Sequence, residues 1–504
     1  MSAAGRPGAR RPPVGRTTVR VGLALALAFA ALAGAAGYWQ VVRSEELVTR
    51  PDNPATRALR QEAVRGLILD RDGAVLADSR FDADGLPYRV YVDDTVSQVV
   101  GYASRRYGTA GLERTYDAYL VGLRTGDART DLLSKFVPDP YDPRNLQTSL
   151  SLELQRRAVA ELGADRGAVV MLDPRSGEVL VLASTPVFDA SAVADPATSE
   201  AAFTGLQADA AQPLLPRATQ GLYVPGSVFK IVTAAAGLRT GAIGRETRYP
   251  EQPPAEKDGL VVEGFRITDG HHPATASREL DLVQATEVSC NIWYALAGLA
   301  TGGGGLADGA AAFGFGATLP FDLPTSASQV TNGGGPLPGG FADDVELANA
   351  SYGQAETLAT PLQMAMVAAT VANDGVLMRP RLATALEDPD GGGTTTLGPT
   401  NLGQVLGPDD AAILVEAMTA AVEGELGRGY TSGAKVPGVL TAGKSGTAEL
   451  GGSGEPHSWF IGFAPADDPT VAIAVLVERG GRGGERAAPL AGRMMAAYFD
   501  MVGR

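Results

Sequence analysis

A long apolar stretch follows a basic beginning of the chain. Residues 21–42, VGLALALAFAALAGAAGYWQVV, contain no charged residue before Arg43. About 20 apolar residues suffice for a helix to cross a bilayer. Tyr38 and Trp39 lie near the far end, where aromatic side chains favour the membrane interface. The pattern predicts a retained transmembrane anchor; a cleaved signal peptide and a buried helix are the alternatives.

The basic residues before this stretch set its expected orientation. Positively charged flanks of a membrane span favour the cytoplasmic side. We therefore expect residues 1–20 to form a cytoplasmic tail and the chain after the anchor to lie outside the cytoplasm. The residues concerned are Arg6, Arg10, Arg11, Arg16 and Arg20.

Between the anchor and about residue 150 the pattern is mixed. LILDRDGAVLADS, residues 67–79, is typical of two strands around an Asp-Gly turn. Residues 101–122 begin as a loop and become helical, and the polar, proline-containing stretch 136–145 resembles a linker. These features predict a small α+β segment that ends at a domain boundary near residues 145–150.

After this boundary the pattern indicates a larger domain. SLELQRRAVAEL, residues 151–162, has helical periodicity, and residues 167–185 predict two apolar strands around a turn at Asp173-Pro174-Arg175-Ser176-Gly177. Residues 190–216 look irregular. We further predict helices near 281–300, 345–372 and 408–424, strands at 457–466 and 470–480, and glycine-rich loops at 301–305 and 331–340.

Composition narrows the classes of function. The 504 residues are 45% hydrophobic and 20% charged, as in a globular protein of two or three domains. The net charge of −15 argues against a nucleic-acid partner, since such binding needs a basic surface. Cys290 is the single cysteine of the sequence, so no internal disulfide can form. We expect it to be a small packing residue.

A serine and a lysine stand one helical turn apart in GLYVPGSVFKIVTAAAGL, residues 221–238. Pro225 suits a first helical turn, which places Ser227 near the positive end of a helix. Lys230 returns to the same face three residues later. A desolvated lysine can lose its proton and act as the base that a serine nucleophile needs. The alternative is a serine that merely caps the helix.

Two further motifs supply polar groups that suit the same chemistry. VSCNIW contains Ser289 and Asn291, which can face one cleft as a proton relay and an amide ligand. AGKSGTAE contains a lysine, two hydroxyls and a glycine on a strand edge, suited to a substrate carboxylate and an extended peptide. The alternatives are local helix-end bonds and an exposed turn. The residues of the second motif are Lys444, Ser445, Gly446 and Thr447.

Histidine-based mechanisms have little support in the sequence. The three histidines occur in neither an H-E-x-x-H nor a G-x-S-x-G context, which argues against a zinc hydrolase and a His-based serine triad. We expect His271 and His272 to be a loop pair and His457 to have a structural role beside the cleft.

Together the three motifs, in this order, resemble those of penicillin-binding proteins and class A β-lactamases, whose usual forms are S-x-x-K, S-D-N and K-T-G. Here the second reads S-C-N, which lacks the carboxylate of the class A enzymes. The chain resembles a class B penicillin-binding protein, most of all the actinobacterial penicillin-binding protein A type. The resemblance covers nearly everything after the anchor, from RGLILDRDGAVLAD through SYGQAETLATPLQMAMVAATVANDG to HSWFIGFAPA.

The resemblance implies an α+β fold with a penicillin-binding transpeptidase domain. That domain has an antiparallel sheet flanked by helices and an all-helical subdomain, and a small elongated α+β domain and one transmembrane helix precede it. No segment resembles a glycosyltransferase. The implied parts are a tail at 1–20, an anchor at 21–42, a non-catalytic domain at 43–148 and the transpeptidase domain at 149–504.

The resemblance also implies a role for each motif residue. Ser227 would attack the penultimate D-Ala of a stem peptide, with Lys230 as the acylation base. Ser289 and Lys444 would pass the proton to the leaving amine. Asn291, Ser445, Gly446 and Thr447 would bind substrate, and the backbone N–H groups of Ser227 and Thr447 would form the oxyanion hole. β-Lactams would acylate the same serine, and no metal or organic cofactor would be needed.

The implied function is peptidoglycan D,D-transpeptidation at the cell membrane, on stem peptides and a lipid-linked precursor. A multi-spanning glycan polymerase is the implied protein partner. A D,D-carboxypeptidase or a class D-like β-lactamase would use the same acyl-serine chemistry and stays open. A membrane-tethered β-lactam sensor or a divisome scaffold is a non-enzymatic alternative.

Overall fold

The computed structural model describes residues 14–39, 43, 62–124, 142–269, 272, 277–427, 431–451 and 454–503. The start of the predicted cytoplasmic tail, most of the predicted linker and His271 lie outside the described residues. An apolar helix, α1 (Val14–Gly37), begins the described chain, and its segment Thr17–Gly37 is long and apolar enough to cross a membrane.

Helices and strands alternate irregularly after α1. The helices are α2 (Ser97–Val100), α3 (Gly111–Thr115), α4 (Asp117–Leu120), α5 (Leu152–Leu162), α6 (Ala190–Ala194), α7 (Ser199–Ala208), α8 (Arg217–Gln220), α9 (Lys230–Thr240), α10 (Gln252–Asp258), α11 (Leu282–Glu287), α12 (Asn291–Ala312), α13 (Asp344–Ala350), α14 (Pro361–Ala372), α15 (Pro408–Glu423) and α16 (Ala487–Met501). The strands are β1 (Ile68–Leu69), β2 (Val75–Phe81), β3 (Pro87–Tyr91), β4 (Ala103–Ser104), β5 (Gly108–Thr109), β6 (Asn145–Thr148), β7 (Gly167–Leu172), β8 (Val179–Thr185), β9 (Leu260–Val262), β10 (Phe265–Ile267), β11 (Val376–Met378), β12 (Ala383–Glu387), β13 (Thr394–Thr396), β14 (Asn401–Gln404), β15 (Ala442–Ala448), β16 (His457–Ala464) and β17 (Val471–Val477).

An antiparallel five-stranded sheet forms the centre of the larger part of the chain. Its strand order is β15-β16-β17-β7-β8, so β15 lies at one edge. Every residue of β7, β8 and β17 is buried, because helices cover both faces. Helix α14 packs on one face, and α5 and α16 pack on the other. The predicted hairpin at 167–185, the helix at 151–162 and the two C-terminal strands are therefore confirmed.

A second sheet joins the N-terminal segment to the rest of the chain. Its order is β13-β12-β6-β1-β2-β3, and β1 pairs with β6 in parallel. The predicted strand pair at 67–79 is present as β1 and β2. Asp70 shapes the turn between them, because its carboxylate accepts hydrogen bonds from the backbone N–H groups of Asp72 and Ala74. The segment and later strands thus share one hydrogen-bonded sheet.

Two sequence predictions about irregular regions are wrong. Residues 301–305 belong to α12, whose only non-helical backbone is at Gly302. Glycines disfavour a helix, but here they permit close packing: a Cβ at Gly303 would lie 2.2 Å from the carbonyl oxygen of Pro338. Residues 190–216 also contain α6 and α7, and the Asp189 carboxylate caps α6 by accepting from Ala192 N.

Close backbone contacts position the turn that carries Ser227. Gly226 N donates to the carbonyl oxygen of Gly353 at 2.9 Å. Gly353 has φ of +81°, and a Cβ at this position would lie 2.0 Å from the carbonyl oxygen of Gly226. Glycine is therefore required at position 353 for two reasons: its positive φ and the lack of space for a Cβ.

We predict that Gly353→Ala displaces the Ser227 turn, because both the left-handed backbone and the 2.0 Å approach exclude a methyl group. If Ser227 reacts with β-lactams, the rate of its labelling by a fluorescent penicillin should fall at least about tenfold. Gly205→Ala is the control, since nothing lies within 4 Å of a Cβ at that helical position. Labelling of the Gly353→Ala protein at the wild-type rate would contradict the prediction.

Candidate active site

A cleft of about 780 Å³ brings the three sequence motifs together. One residue of each motif lines it: Ser227, Asn291 and Thr447. Strand β10 with Thr268 after it, and residues of the segment 331–356, form its other walls. The first and third motifs are more than 200 residues apart in the sequence, and the second lies between them. All three contribute to one concave site, as enzymes require.

Ser227 lies in a short 3-10 turn, Gly226–Phe229, that leads directly into α9. The predicted helix start is therefore present, although Pro225 lies just before the turn as its N-cap. The serine is half-buried, while the hydrophobic residues around it are buried. Its hydroxyl can be reached from the cleft, and its backbone is held by the rigid start of a helix.

Lys230 is fully buried and binds the second motif directly. Its Nζ donates to the Ser289 carbonyl oxygen at 2.5 Å, to Ser289 Oγ at 3.2 Å and to Asn291 Oδ1 at 2.7 Å. Among the described residues no hydrogen bond joins Lys230 to Ser227. Ser227 lies in the 3-10 turn and Lys230 is the first residue of α9, so the two predicted partners are in consecutive elements.

The second motif occupies the junction between α11 and α12. Ser289 has φ of +62°, which ends α11 and turns the chain. Cys290 then caps α12, because its Sγ accepts from Trp293 N at 3.4 Å. Asn291 is the first residue of α12. This reversal sends the Ser289 hydroxyl and the Asn291 amide toward Lys230.

The third motif contributes a second buried lysine. Lys444 Nζ donates to Ser289 Oγ at 2.9 Å and to the carbonyl oxygen of Ser445 at 2.9 Å. The Ser289 hydroxyl therefore lies between the amines of Lys230 and Lys444. A hydroxyl both donates and accepts protons, so this arrangement can carry a proton between the two lysines.

The rest of the third motif lies on the edge strand β15. Ser445 Oγ is 3.0 Å from Thr431 Oγ1, and Thr447 Oγ1 accepts from Gly483 N at 3.1 Å. A Cβ at Gly446 would lie 2.8 Å from the Pro225 carbonyl oxygen. Glycine at this position thus lets β15 approach the Ser227 turn. Sequence reasoning missed Thr431, which no motif identifies.

Comparisons with known proteins identify the family. A family model described as the penicillin binding protein transpeptidase domain matches residues 167–496. A second, the penicillin binding protein A dimerisation domain, matches residues 65–137. The chain belongs to the penicillin-binding protein transpeptidase family. The resemblance inferred from the motifs is confirmed, and so is the fold class.

Relatives and solved structures agree with this assignment. The peptidoglycan D,D-transpeptidase PbpA of Mycolicibacterium smegmatis is 35% identical over 502 residues, which cover 95% of this chain and 98% of that protein. PbpA of Mycobacterium tuberculosis is 34% identical and covers 85% of this chain and 86% of its own length. The ceftriaxone acyl-enzyme complex of penicillin-binding protein A from M. tuberculosis superposes with a TM-score of 0.76 at 31% identity and covers 88% of this chain and 99% of that one.

Burial gives this penicillin-binding protein two lysines of unusual acidity. Burial lowers the pKa of Lys230 to about 8, although the nearby Asp269 and Cys290 act in the opposite direction. Burial also lowers the pKa of Lys444 well below its ordinary value, and the charge of Lys230 adds to this effect. Two amines that share one hydroxyl disfavour double protonation. One of them is therefore available as a base near neutral pH.

A polar network supports the segment before Ser227. Tyr223 donates to Glu478 at 2.8 Å, and Arg217 pairs with the same carboxylate at 2.7 Å. His457 packs edge-on against the Tyr223 ring at 5.4 Å, and its Nδ1 accepts from Arg479 N at 3.1 Å. The contacts agree with the structural role expected of His457. Sequence reasoning missed this network because its members are spread over 263 positions.

Four side chains behind the second motif could hold a metal ion. Donor atoms of Glu256, Asp269, His272 and Cys290 all lie within 4.8 Å of one another. This mixture of nitrogen, sulfur and oxygen suits a borderline cation such as Zn²⁺. A bound cation would fix Cys290, and with it the turn at Ser289 and Asn291. Cys290 is buried, as expected, but it also caps α12 and contacts Glu256 Oε1 at 3.4 Å.

If the neutral form of Lys230 is the base that activates Ser227, we predict that the rate of Ser227 acylation rises with pH and levels off above about pH 8, because burial lowers the pKa of Lys230 to about 8. Below that pH the second-order rate constant for a penicillin should fall about tenfold per pH unit. Stopped-flow labelling from about pH 6 to 9 measures the profile. Lys230→Arg is the control: a guanidinium does not deprotonate in this range, so the rise should disappear. A flat wild-type profile would exclude Lys230 as the base.

Proposed function

We propose that Ser227 is the nucleophile of a peptidoglycan D,D-transpeptidase. The observation that carries this proposal is the Ser289 hydroxyl held between the buried amines of Lys230 and Lys444 beside the cleft. Family membership and relatives named as D,D-transpeptidases support the reaction class. The acyl-enzyme complexes of the M. tuberculosis relative support covalent reaction of such a cleft with β-lactams.

The first step would form an acyl-enzyme. The neutral amine of Lys230 takes the proton from Ser227 Oγ as the oxygen attacks the carbonyl of the penultimate D-Ala of a stem peptide. The backbone N–H groups of Ser227 and Thr447 stabilise the oxyanion. The C–N bond then breaks, and the proton passes from Lys230 through Ser289 and Lys444 to the departing D-Ala. Each proton lost by one group is thereby gained by another.

Substrate would be held at the edge of the five-stranded sheet. A D-Ala carboxylate can accept hydrogen bonds from the hydroxyls of Ser445 and Thr447. The Asn291 side-chain amide can bind the peptide backbone while its oxygen keeps Lys230 in place. Gly446 lets an extended peptide lie against β15 without a side chain in the way.

The second step would join two stem peptides. An amine of a neighbouring stem peptide attacks the acyl-enzyme carbonyl and the new C–N bond forms. The amine's proton passes to Lys230, and Ser227 leaves with that proton. Water in place of the amine would make the protein a D,D-carboxypeptidase or, with a β-lactam, a β-lactamase. A scaffold would not need the intact hydrogen-bonded set of two lysines and a serine.

The apolar helix α1 would act as a membrane anchor with the N-terminus in the cytoplasm. Arg16 and Arg20 near its start favour that orientation. The catalytic domain would then face the outside, where lipid-linked precursor and glycan strands are found. We also propose a multi-spanning glycan polymerase as a partner, since a transpeptidase acts on newly made glycan strands.

We predict that Ser227→Ala abolishes covalent labelling by a fluorescent penicillin, because the substitution removes the nucleophilic oxygen that faces the cleft. Lys230→Ala should lower the labelling rate at least about 100-fold, since the base is lost. Ser176→Ala, in the turn between β7 and β8, is the matched control and should label normally. Persistent labelling of the Ser227→Ala protein would refute the nucleophile assignment.

Product analysis separates the reactions that share the acyl-enzyme. With lipid-linked glycan strands as substrate, a transpeptidase gives cross-linked dimers, whereas a carboxypeptidase gives free tetrapeptide. Rapid release of hydrolysed penicillin would indicate a β-lactamase. We expect dimers as the main product in reactions with purified full-length protein in detergent.

A further inference from the structure

The loop between β17 and α16, residues 478–486, lies against the third motif. A Cβ at Gly483 in this loop would lie 2.4 Å from the carbonyl oxygen of Gly446 and 2.7 Å from that of Trp459. Gly446 and Trp459 are paired residues of β15 and β16. The backbone of Gly483 therefore lies directly against this strand pair, where Thr447 follows Gly446 along β15.

One hydrogen bond from this loop reaches a residue that lines the cleft. Gly483 N donates to Thr447 Oγ1 at 3.1 Å, and Thr447 is exposed and lines the cleft together with Ser227. A backbone N–H can only donate, so it occupies an acceptor position of the Thr447 hydroxyl, and the Thr447 proton cannot point toward Gly483. Among the residues that the structure describes, no acceptor takes that proton. The hydroxyl is therefore available as a donor to a ligand in the cleft.

A buried serine holds this loop in place. Ser458 Oγ donates to the carbonyl oxygen of Arg482 at 3.2 Å and accepts from Ala487 N at 3.1 Å. Ser458 is fully buried and is the β16 partner of Thr447. One side chain thus fixes both the residue before Gly483 and the first residue of α16. The position of Gly483 N relative to Thr447 follows from these two contacts.

We propose that Gly483 is a positioning residue for substrate recognition and that Ser458 keeps it in place. The N–H of Gly483 orients the Thr447 hydroxyl so that its proton is donated to the carboxylate of the acyl donor. This inference rests on the function proposed above, in which the Thr447 hydroxyl binds that carboxylate. A hydroxyl that is already oriented loses less rotational freedom when the anion binds, so the complex is more stable.

A penicillin and its methyl ester test the proposal, because the ester keeps the β-lactam ring and lacks the anionic carboxylate. Rate constants for acylation of Ser227 by each compound are measured for full-length wild type and for Gly483→Ala, whose new methyl group would meet two carbonyl oxygens. Gly454→Ala, in the loop between β15 and β16, is the matched control, since nothing lies within 4 Å of a Cβ there. Thr447→Val removes the oriented hydroxyl itself.

We expect wild type and the Gly454→Ala protein to prefer the free penicillin over its ester at least about tenfold. Gly483→Ala should reduce this preference at least about fivefold, while its reaction with the ester stays within about twofold of wild type. In a Thr447→Val background Gly483→Ala should change the preference no further, because it acts through the missing hydroxyl. Ser458→Ala should reduce the preference in the same direction, and it replaces Gly483→Ala if that protein does not fold.

Three results would overturn the proposal: equal loss of reaction with both compounds, an unchanged preference in the Gly483→Ala and Ser458→Ala proteins, or additive effects of Gly483→Ala and Thr447→Val. A wild-type protein that does not prefer the free acid would overturn it as well. Failure of both compounds to acylate Ser227 in wild type would instead refute the function on which the proposal rests.

Discussion

The site depends on one hydroxyl shared by two buried amines. Ser289 Oγ lies 3.2 Å from Lys230 Nζ and 2.9 Å from Lys444 Nζ. Burial removes water that would otherwise stabilise both ammonium ions, so the pair is forced toward a partly neutral state. The five-stranded sheet, the turn between α11 and α12 and the close glycine contacts bring these three side chains together and shield them from solvent.

The sequence pattern predicted those helices and strands whose own residues show the periodicity of the element. The amphipathic helix at 151–162 and the apolar strands of 167–185 were predictable, because their burial follows from local periodicity. The motif residues were predictable as a set, since their chemistry is specific. The clearest failures came at 190–216 and 301–305. At residues 301–305, the close packing of Gly303 against Pro338 outweighs the low helix propensity of glycine.

Contacts between segments that are far apart in the chain are the part of the site that could not be predicted from the sequence. Thr431 has no motif around it, yet its hydroxyl lies 3.0 Å from that of Ser445. Glu256 and Asp269 precede Cys290 by 34 and 21 positions and still lie against it. Such neighbours depend on how loops fold over a sheet, and neither spacing nor composition encodes that.

The sheet that combines β1–β3 with β6, β12 and β13 bears on how such chains can be built and rebuilt. Its strands come from both sides of residue 148, so the N-terminal segment is joined to the rest of the chain by main-chain hydrogen bonds. Separating the protein into two parts after residue 148 would leave two unpaired strand edges, each prone to self-association. Recombination between related proteins would have to exchange the N-terminal segment together with its partner strands. We therefore expect the two parts to be inherited together.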